Sequence, residues 1–178
     1  ASIVAVEDDE DTKERIKQNL DTFSHLALRE NSGIEYLVSI GLNNTKLVLD
    51  PTLLLAKTEW CELANRYPVN KNIPDKYLLA YFVSPSRTNY EQIKSLSEEV
   101  NLPVVLINYT HRKIDGMINL TTVSPGQFVN LFLNASMVVT NSFHGMIFSV
   151  QYRRPFVVFS REQCDTKIEE LLALFGLS

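Results

Sequence analysis

Short apolar runs alternate with amphipathic segments through the second half of the chain. The runs YLLAYFV, PVVLIN, MVVT and PFVVF have the length and the β-branched content of buried strands. Segments with apolar residues at helical spacing lie between them, such as residues 89–100, which carry Ile93, Leu96 and Val100 on one face. This alternation predicts an α/β fold, Rossmann-like and three-layered, with helices on both faces of a parallel sheet.

Residues 23–49 show the same alternation of strand and helix patterns over a shorter length. Residues 23–29 alternate like a strand, residues 33–40 form a helix closed by Gly41, and residues 46–49 form a second short strand. The order of strand, helix and strand predicts a β-α-β unit that is compatible with parallel pairing.

A polar stretch without periodicity separates the two parts. A helical turn around Trp60 is followed by residues 68–75, which include two prolines and resemble a linker. We therefore expect residues 1–56 to be the closing β-α-β part of an N-terminal Rossmann-like domain. Residues 57–73 are the predicted linker, and residues 74–178 are the predicted C-terminal Rossmann-like domain.

The junction after the MVVT run is the strongest candidate for a ligand site. The run ends at Asn141 and Ser142, which favour turns and helix caps, and apolar residues at helical spacing follow. This pattern places His144 and Gly145 in the first turn of a helix. Backbone N–H groups at a helix start bind anions, and ligands of open α/β sheets collect beyond the strand ends.

Composition narrows the classes of function. A formal net charge of −4 and a pI near 5.4 argue against a nucleic-acid partner and against a polybasic membrane surface. No apolar run approaches the ~20 residues of a membrane-spanning helix, and two cysteines make neither a disulfide framework nor a metal set. We expect a cytoplasmic protein with no transmembrane segment. The chain begins in mid-pattern at Ala1, which is typical of a piece of a longer protein.

The common chemical signatures are missing from the sequence. It has no dinucleotide fingerprint, no phosphate loop and no Gly-x-Ser-x-Gly elbow that would make Ser142 a nucleophile. The 3 histidines lack the spacing of metal ligands, and no acidic cluster suits a divalent ion, so we expect neither a metal nor a cofactor. Asp50, which precedes Pro51, is more typical of a turn than of a catalytic base.

Single residues near the ends of predicted elements remain as candidates. Arg29 has a guanidinium group suited to a carboxylate or phosphate, although a local ion pair with Glu30 or Glu35 is the commoner role. The helix dipole opposes a positive charge on His144, which favours the neutral form until an anion binds; a capping or core histidine is the alternative. Lys167, near the start of the last predicted helix, is more often a solvated charge.

Several segments together resemble the polysaccharide pyruvyl transferase family. They are ALRENSGIEYL, LVLDPTLLL with the tryptophan that follows it, and VSPGQFVNLFLNASMVVTNSFHGMIFSV. The resemblance extends over residues 23–177 and implies a GT-B-like fold, of which this chain would supply the C-terminal half. In that fold two Rossmann-like domains face each other across a cleft. It also implies transfer of the pyruvyl group of phosphoenolpyruvate to a sugar, which forms a pyruvate ketal.

The resemblance also assigns roles to residues of this chain. It implies that His144 is catalytic. The residues that it implies in donor binding are Arg29, Lys167, Asn141, Ser142 and Gly145. Many family members carry arginine where this chain has Ser142, so a donor-binding cation is missing at that position. The candidates to replace it are Arg153, Arg154 and Arg161.

The function implied is pyruvyl transfer to a sugar of a capsular or other cell-surface exopolysaccharide, or to its precursor. Phosphoenolpyruvate is then a donor substrate rather than a cofactor, and the partner is a glycan or a lipid-linked sugar, with peripheral membrane association left open. Two alternatives remain: a GT-B glycosyltransferase that uses a nucleotide sugar, and a catalytically silent α/β binding module.

Overall fold

The chain forms two compact units in a computed structural model that describes residues 9–69, 72–110, 112–159 and 165–177. Unit 1 comprises Ala1–Leu54 together with Cys164–Ser178, and unit 2 comprises Leu55–Gln163. In chain order, the helices are α1 (Glu10–Leu20), α2 (Asn31–Ser39), α3 (Lys57–Arg66), α4 (Arg87–Val100), α5 (Pro125–Asn134), α6 (Phe143–Tyr152) and α7 (Asp165–Leu174). The strands are β1 (Leu26–Leu28), β2 (Thr45–Leu47), β3 (Leu78–Tyr81), β4 (Val104–Ile107), β5 (Ile118–Leu120), β6 (Met137–Thr140) and β7 (Phe156–Val158).

Unit 2 is built on a parallel five-stranded sheet in the order β5-β4-β3-β6-β7. The central strand β3 pairs with β4 on one side and with β6 on the other, so that Leu79 lies opposite both Val105 and Val138. The apolar runs of β3 and β4 are almost completely buried, as a strand covered on both faces requires. The predicted parallel sheet is confirmed.

Helices cover both faces of this sheet. On one face, Phe132 of α5 and Phe148 of α6 pack with Leu79 and Val138 in a core that also includes residues of α3. On the other face, Ile93 of α4 packs with strand residues that point away from the first core. Alternate residues of each strand therefore enter different cores, which produces the predicted three layers.

Unit 1 contains a parallel pair of strands, β1 and β2, with α1, α2 and α7. Its core includes Leu28, Leu37 and Leu42, and Ile16 of α1 packs against them. The β-α-β unit predicted for this part of the chain is present.

The unit boundaries differ from the predicted domains at two places. The predicted linker 57–73 contains α3, which packs against α5 in unit 2, where the Asn130 amide donates to the Ala64 carbonyl at 3.0 Å. The last helix, α7, belongs to unit 1, although chain order suggested the C-terminal domain. Ile168 and Leu171 of α7 are buried, and the Glu170 carboxylate accepts hydrogen bonds from backbone N–H groups at the start of α2. The helix therefore packs with residues that come much earlier in the sequence.

Candidate functional site

The turn between β6 and α6 lies where the direction of the sheet's connections reverses. From β3, the chain continues into α4 on one face of the sheet; from β6, it continues into α6 on the other face. A crevice forms between two such neighbouring strands at their carboxyl ends, and this is the usual ligand position in open α/β sheets. The junction identified in the sequence is therefore located at the topological switch point of unit 2.

Asn141 ties the ends of β3 and β6 together. Its side-chain oxygen accepts a hydrogen bond from the Val83 N–H at 2.7 Å, and its amide nitrogen donates to the Val83 carbonyl at 3.1 Å. The residue is 3% exposed, so these bonds are shielded from water. The side chain of Asn141 thus has a structural role at the crevice, and its role in donor binding stays a prediction.

Thr140 and Ser142 complete the turn. The Thr140 hydroxyl donates to the Tyr81 carbonyl at 2.5 Å and accepts from the Ser142 N–H at 3.0 Å. Ser142 is the N-cap of α6, and its side chain accepts from the Gly145 N–H at 3.4 Å. The predicted helix start is confirmed. It rests on a network of hydrogen bonds that are buried or partly buried.

His144 is exposed in the first turn of α6, and its ring meets that of Phe143 edge-on with the ring centroids 5.6 Å apart. Gly145, the next residue, is buried against β6: a Cβ at this position would overlap the Thr140 hydroxyl. Glycine therefore allows the helix to start close to the strand end and to present His144 at the carboxyl edge of the sheet.

Arg29 lies in unit 1, directly after β1, and its side chain is 20% exposed. Its guanidinium group pairs with the carboxylate of Asp50 and lies 3.8 Å from that of Glu30. Asp50 is buried and also accepts hydrogen bonds from the backbone N–H and the hydroxyl of Thr52, at 2.9 and 2.6 Å. Two segments that are separate in the sequence, one around Arg29 and one around Asp50, are thus brought together.

The comparison with protein families shows to which family the chain belongs. The family model described as "Polysaccharide pyruvyl transferase" matches residues 1–163, which is most of the chain. The chain belongs to the polysaccharide pyruvyl transferase family. A search of the curated proteins finds no significant match.

A solved structure has a similar fold. The structure of the wall teichoic acid polymerase TagF, a GT-B-type fold, matches with a TM-score of 0.51 and 14% sequence identity. The match covers 92% of this chain and 47% of that protein, so the chain spans about half the length of its structural relative. At this identity the likeness shows the fold alone.

Neither Arg153 nor Arg154 supplies a cation at the start of α6 in place of the arginine that many family members carry at the position of Ser142. Both residues follow the end of α6, which has 10 residues and is therefore roughly 15 Å long. Arg153 is the C-cap of the helix, and the Arg154 guanidinium donates to the Leu133 carbonyl. The third candidate, Arg161, lies outside the described residues.

Lys167 belongs to α7, and its side chain lies outside the part of the chain that the structure describes. Within the described residues, no group of three or more His, Cys, Asp or Glu side chains could hold a metal ion. Nor is any helix in the described ranges both long and apolar enough to cross a membrane.

The sequence did not reveal two features of these sites. Asp50, interpreted as a turn residue, caps the turn at Pro51 and also pairs with Arg29, in addition to the expected local partner Glu30. The second feature is a cavity of about 310 Å³ at the carboxyl ends of β3 and β4, lined in part by Tyr81 and Tyr109. The apolar pattern of the strands could not indicate either one, because both depend on contacts between separate segments.

Proposed function

We propose that the protein containing this chain transfers the pyruvyl group of phosphoenolpyruvate to two hydroxyl groups of a sugar in a cell-surface polysaccharide or its precursor. The observation that carries the proposal is an exposed histidine in the first turn of α6, at the switch point of the sheet, in a chain of this family. The start of α6 favours an anion, and the donor has both a carboxylate and a phosphate.

In the proposed reaction, His144 acts as the general acid. A proton moves from its imidazolium to the methylene carbon of phosphoenolpyruvate, and the first sugar hydroxyl adds to the neighbouring carbon and loses its proton. Phosphate then leaves with its bonding electron pair, and the second hydroxyl adds to the same carbon and also loses its proton. The products are the cyclic ketal, whose methyl group carries the transferred proton, and inorganic phosphate.

The local charges support this role. A dianionic phosphate at the start of α6 would favour the imidazolium form of His144, because it offsets the positive end of the helix dipole. Asn141 and Ser142 would hold the turn rigid beneath the donor, since their side chains already fix it to β3 and α6. In unit 1, Arg29 would bind an anionic group of the donor, and its paired, partly buried guanidinium is suited to hold one orientation. The donor-binding role of Lys167 comes from the family resemblance alone.

The test is ketal formation by the intact protein from phosphoenolpyruvate and a panel of glycans. We expect His144→Ala to lower kcat by about 10²–10⁴-fold, the usual contribution of a general acid, with little change in folding. His25→Ala is the matched control, because His25 is also exposed and lies outside the turn. Near-wild-type turnover by His144→Ala would remove the acid role.

The donor contacts and the alternative function need separate measurements. We expect Arg29→Lys to raise the KM for phosphoenolpyruvate, because lysine cannot replace a bidentate guanidinium. An unchanged KM would remove Arg29 from donor binding. Tight binding of a nucleotide sugar, together with no effect of phosphoenolpyruvate, would favour the glycosyltransferase alternative.

A further inference from the structure

Aromatic side chains form part of the walls of the cavity at the carboxyl ends of β3 and β4. Tyr81 is the last residue of β3, Tyr109 follows β4, and Tyr90 lies in the first half of α4. The rings of Tyr81 and Tyr109 meet edge-on with their centroids 6.4 Å apart, and Tyr109 remains 51% exposed. The cavity volume of about 310 Å³ lies at the lower end of the range for small-ligand pockets.

A network of hydrogen bonds fixes the loop that carries Tyr109. The Asn108 side-chain oxygen accepts from both the backbone N–H and the hydroxyl of Thr110, at 3.1 and 2.6 Å. Its amide nitrogen donates to the Arg112 carbonyl at 2.6 Å and to the Asn119 side chain at 3.0 Å. Asn108 is 3% exposed, so this network holds the residues on both sides of Tyr109 in one conformation. The aromatic wall is therefore preorganised.

The described lining of the cavity is mainly apolar, and several of its residues carry hydroxyl groups. Among the lining residues that the structure describes, hydroxyl groups come from residues such as Ser84, Tyr90 and Thr110, and no side chain is that of Asp, Glu, Lys, Arg or His. Burial raises the pKa of Tyr90 and of Tyr109, and the positive charge of Arg112, which is not among the lining residues, partly opposes the rise at Tyr90. A buried phosphate or carboxylate needs a paired cation, and the described lining residues do not supply one. A neutral ligand with apolar faces and several hydroxyl groups fits it better.

The cavity adjoins the turn that carries His144. Tyr81 and Val83 line the cavity, and both are hydrogen-bonded to that turn: Tyr81 through Thr140 at 2.5 Å, and Val83 through Asn141 at 2.7 and 3.1 Å. The same short segment after β3 is thus a wall of the cavity on one side and a support of the α6 start on the other. A ligand in the cavity would lie next to the proposed reaction centre within unit 2.

We propose that this cavity binds a neutral pyranose ring of the acceptor glycan, stacked against the face of Tyr109. The C–H face of a sugar packs on an aromatic ring, and hydroxyl groups such as those of Ser84 and Tyr90 are available types of partner for the sugar hydroxyls. This assignment rests on the proposed function. In it, the donor and the acceptor bind at different groups because only the donor is charged. The anionic donor binds at cationic groups and the helix start, and the neutral acceptor binds among tyrosines.

Ligand-detected saturation-transfer NMR on the intact protein tests the site without turnover. The probes are the methyl pyranosides of glucose, galactose and mannose, and uridine monophosphate is the anionic comparison. We expect at least one methyl pyranoside to bind and Tyr109→Ala to weaken that binding by about tenfold, the effect of losing one stacked ring. Tyr109→Phe keeps the ring and should bind within about twofold of the wild type.

Tyr67→Ala is the matched control, because Tyr67 has a similar exposed fraction, 48%, and does not line the cavity. It should leave sugar binding unchanged. Fluorescence of Trp60 checks that each variant is folded. The assignment is overturned if Tyr109→Ala binds the sugar as tightly as the wild type or if none of the three sugars binds. Preferential binding of uridine monophosphate that depends on Tyr109 would also overturn it and would assign the cavity to a nucleotide.

A turnover assay distinguishes failure of this site from failure of the proposed function. If a sugar binds through Tyr109 but phosphoenolpyruvate yields no ketal, the site stands and the pyruvyl transfer fails. If ketal forms but Tyr109→Ala leaves the acceptor KM unchanged, the function stands and the site fails. We expect Tyr109→Ala to raise the acceptor KM by about tenfold and to leave the KM for phosphoenolpyruvate unchanged.

Discussion

Replacing Gly145 with alanine adds one methyl group where α6 leaves β6. An ideal Cβ on Gly145 overlaps the hydroxyl oxygen of Thr140 and lies 3.1 Å from the Thr140 Cβ. Both residues are buried, so neither atom has open space to move into. Overpacking costs about 1–3 kcal/mol, and removing a helical glycine returns about 0.5–1 kcal/mol. We therefore expect Gly145→Ala to lower the free energy of unfolding by about 1–2 kcal/mol.

A second substitution tests whether this contact is the cause. Thr140→Ala removes the overlapping hydroxyl and, with it, the bonds to Tyr81 and Ser142, which by itself costs about 1–2 kcal/mol. In that background the penalty of Gly145→Ala should be smaller. The two substitutions should therefore couple by about 1 kcal/mol, within the range seen for residues in contact.

The chain contains a convenient probe for the measurement. Trp60 is its 1 tryptophan, and its ring meets that of Phe148 on α6 edge-on, with the centroids 5.1 Å apart. Urea unfolding followed by Trp60 fluorescence thus reports on the unit that contains the substitutions. Equal penalties for Gly145→Ala in the two backgrounds would refute the steric reasoning.

The same substitution should reduce activity, because it displaces the turn that carries His144. A displacement of about 1 Å at a reacting group can cost about 10²-fold in rate. Ser149→Ala is the matched control: it removes a buried hydrogen bond of 2.7 Å to the Gly145 carbonyl and adds no atom at the turn. We expect it to lower stability by about 1 kcal/mol and to leave kcat near the wild-type value.

Four further substitutions test buried polar groups and hydrogen bonds within each unit. Tyr77→Phe should lower the free energy of unfolding by about 1 kcal/mol, because the Tyr77 hydroxyl donates to the buried carbonyl of Leu131 at 2.7 Å. Tyr152→Phe should leave the free energy of unfolding unchanged or raise it, because the buried Tyr152 hydroxyl has no hydrogen-bond partner among the described residues. A lower unfolding midpoint for Tyr152→Phe than for Tyr77→Phe would contradict this prediction. Asn141→Ala should lower stability by about 1–3 kcal/mol, since it leaves two backbone groups of β3's end without their partner. Glu170→Gln removes the carboxylate charge at the start of α2, so hydrogen exchange there should accelerate; unchanged exchange would show that the contact does not stabilise α2.

Local patterns predicted most of the secondary structure. The strand over residues 137–140, its end at Asn141 and the helix that carries His144 were all predicted, because strand and helix periods and capping residues act over a few positions. The start of α5 was also predicted from Ser124 and Pro125, and the structure adds the reciprocal bonds between Ser124 and Gln127. The predicted parallel sheet followed from the order of these elements.

Other features depended on partners that are distant in the sequence. The order of strands places β3 between β4 and β6, which no segment specifies by itself, and the crevice beside the α6 start follows from that order. Arg29 pairs with a carboxylate 21 positions away, and Glu170 of α7 caps a helix 139 positions earlier. A sequence pattern records which residues are apolar, but not which of many compatible surfaces they will meet.

The sequence by itself determined the elements of this protein, the family to which its motifs point, and the position of His144 at the start of a helix. Only the tertiary structure decided that this start lies at the switch point of the sheet, that Asn141 and Thr140 fasten it to β3, and that a cavity lined in part by tyrosines adjoins it. The physical reason is the range of the interactions. Backbone propensity and periodicity act between neighbours, whereas a site is formed by the packing of segments that chain order does not bring together.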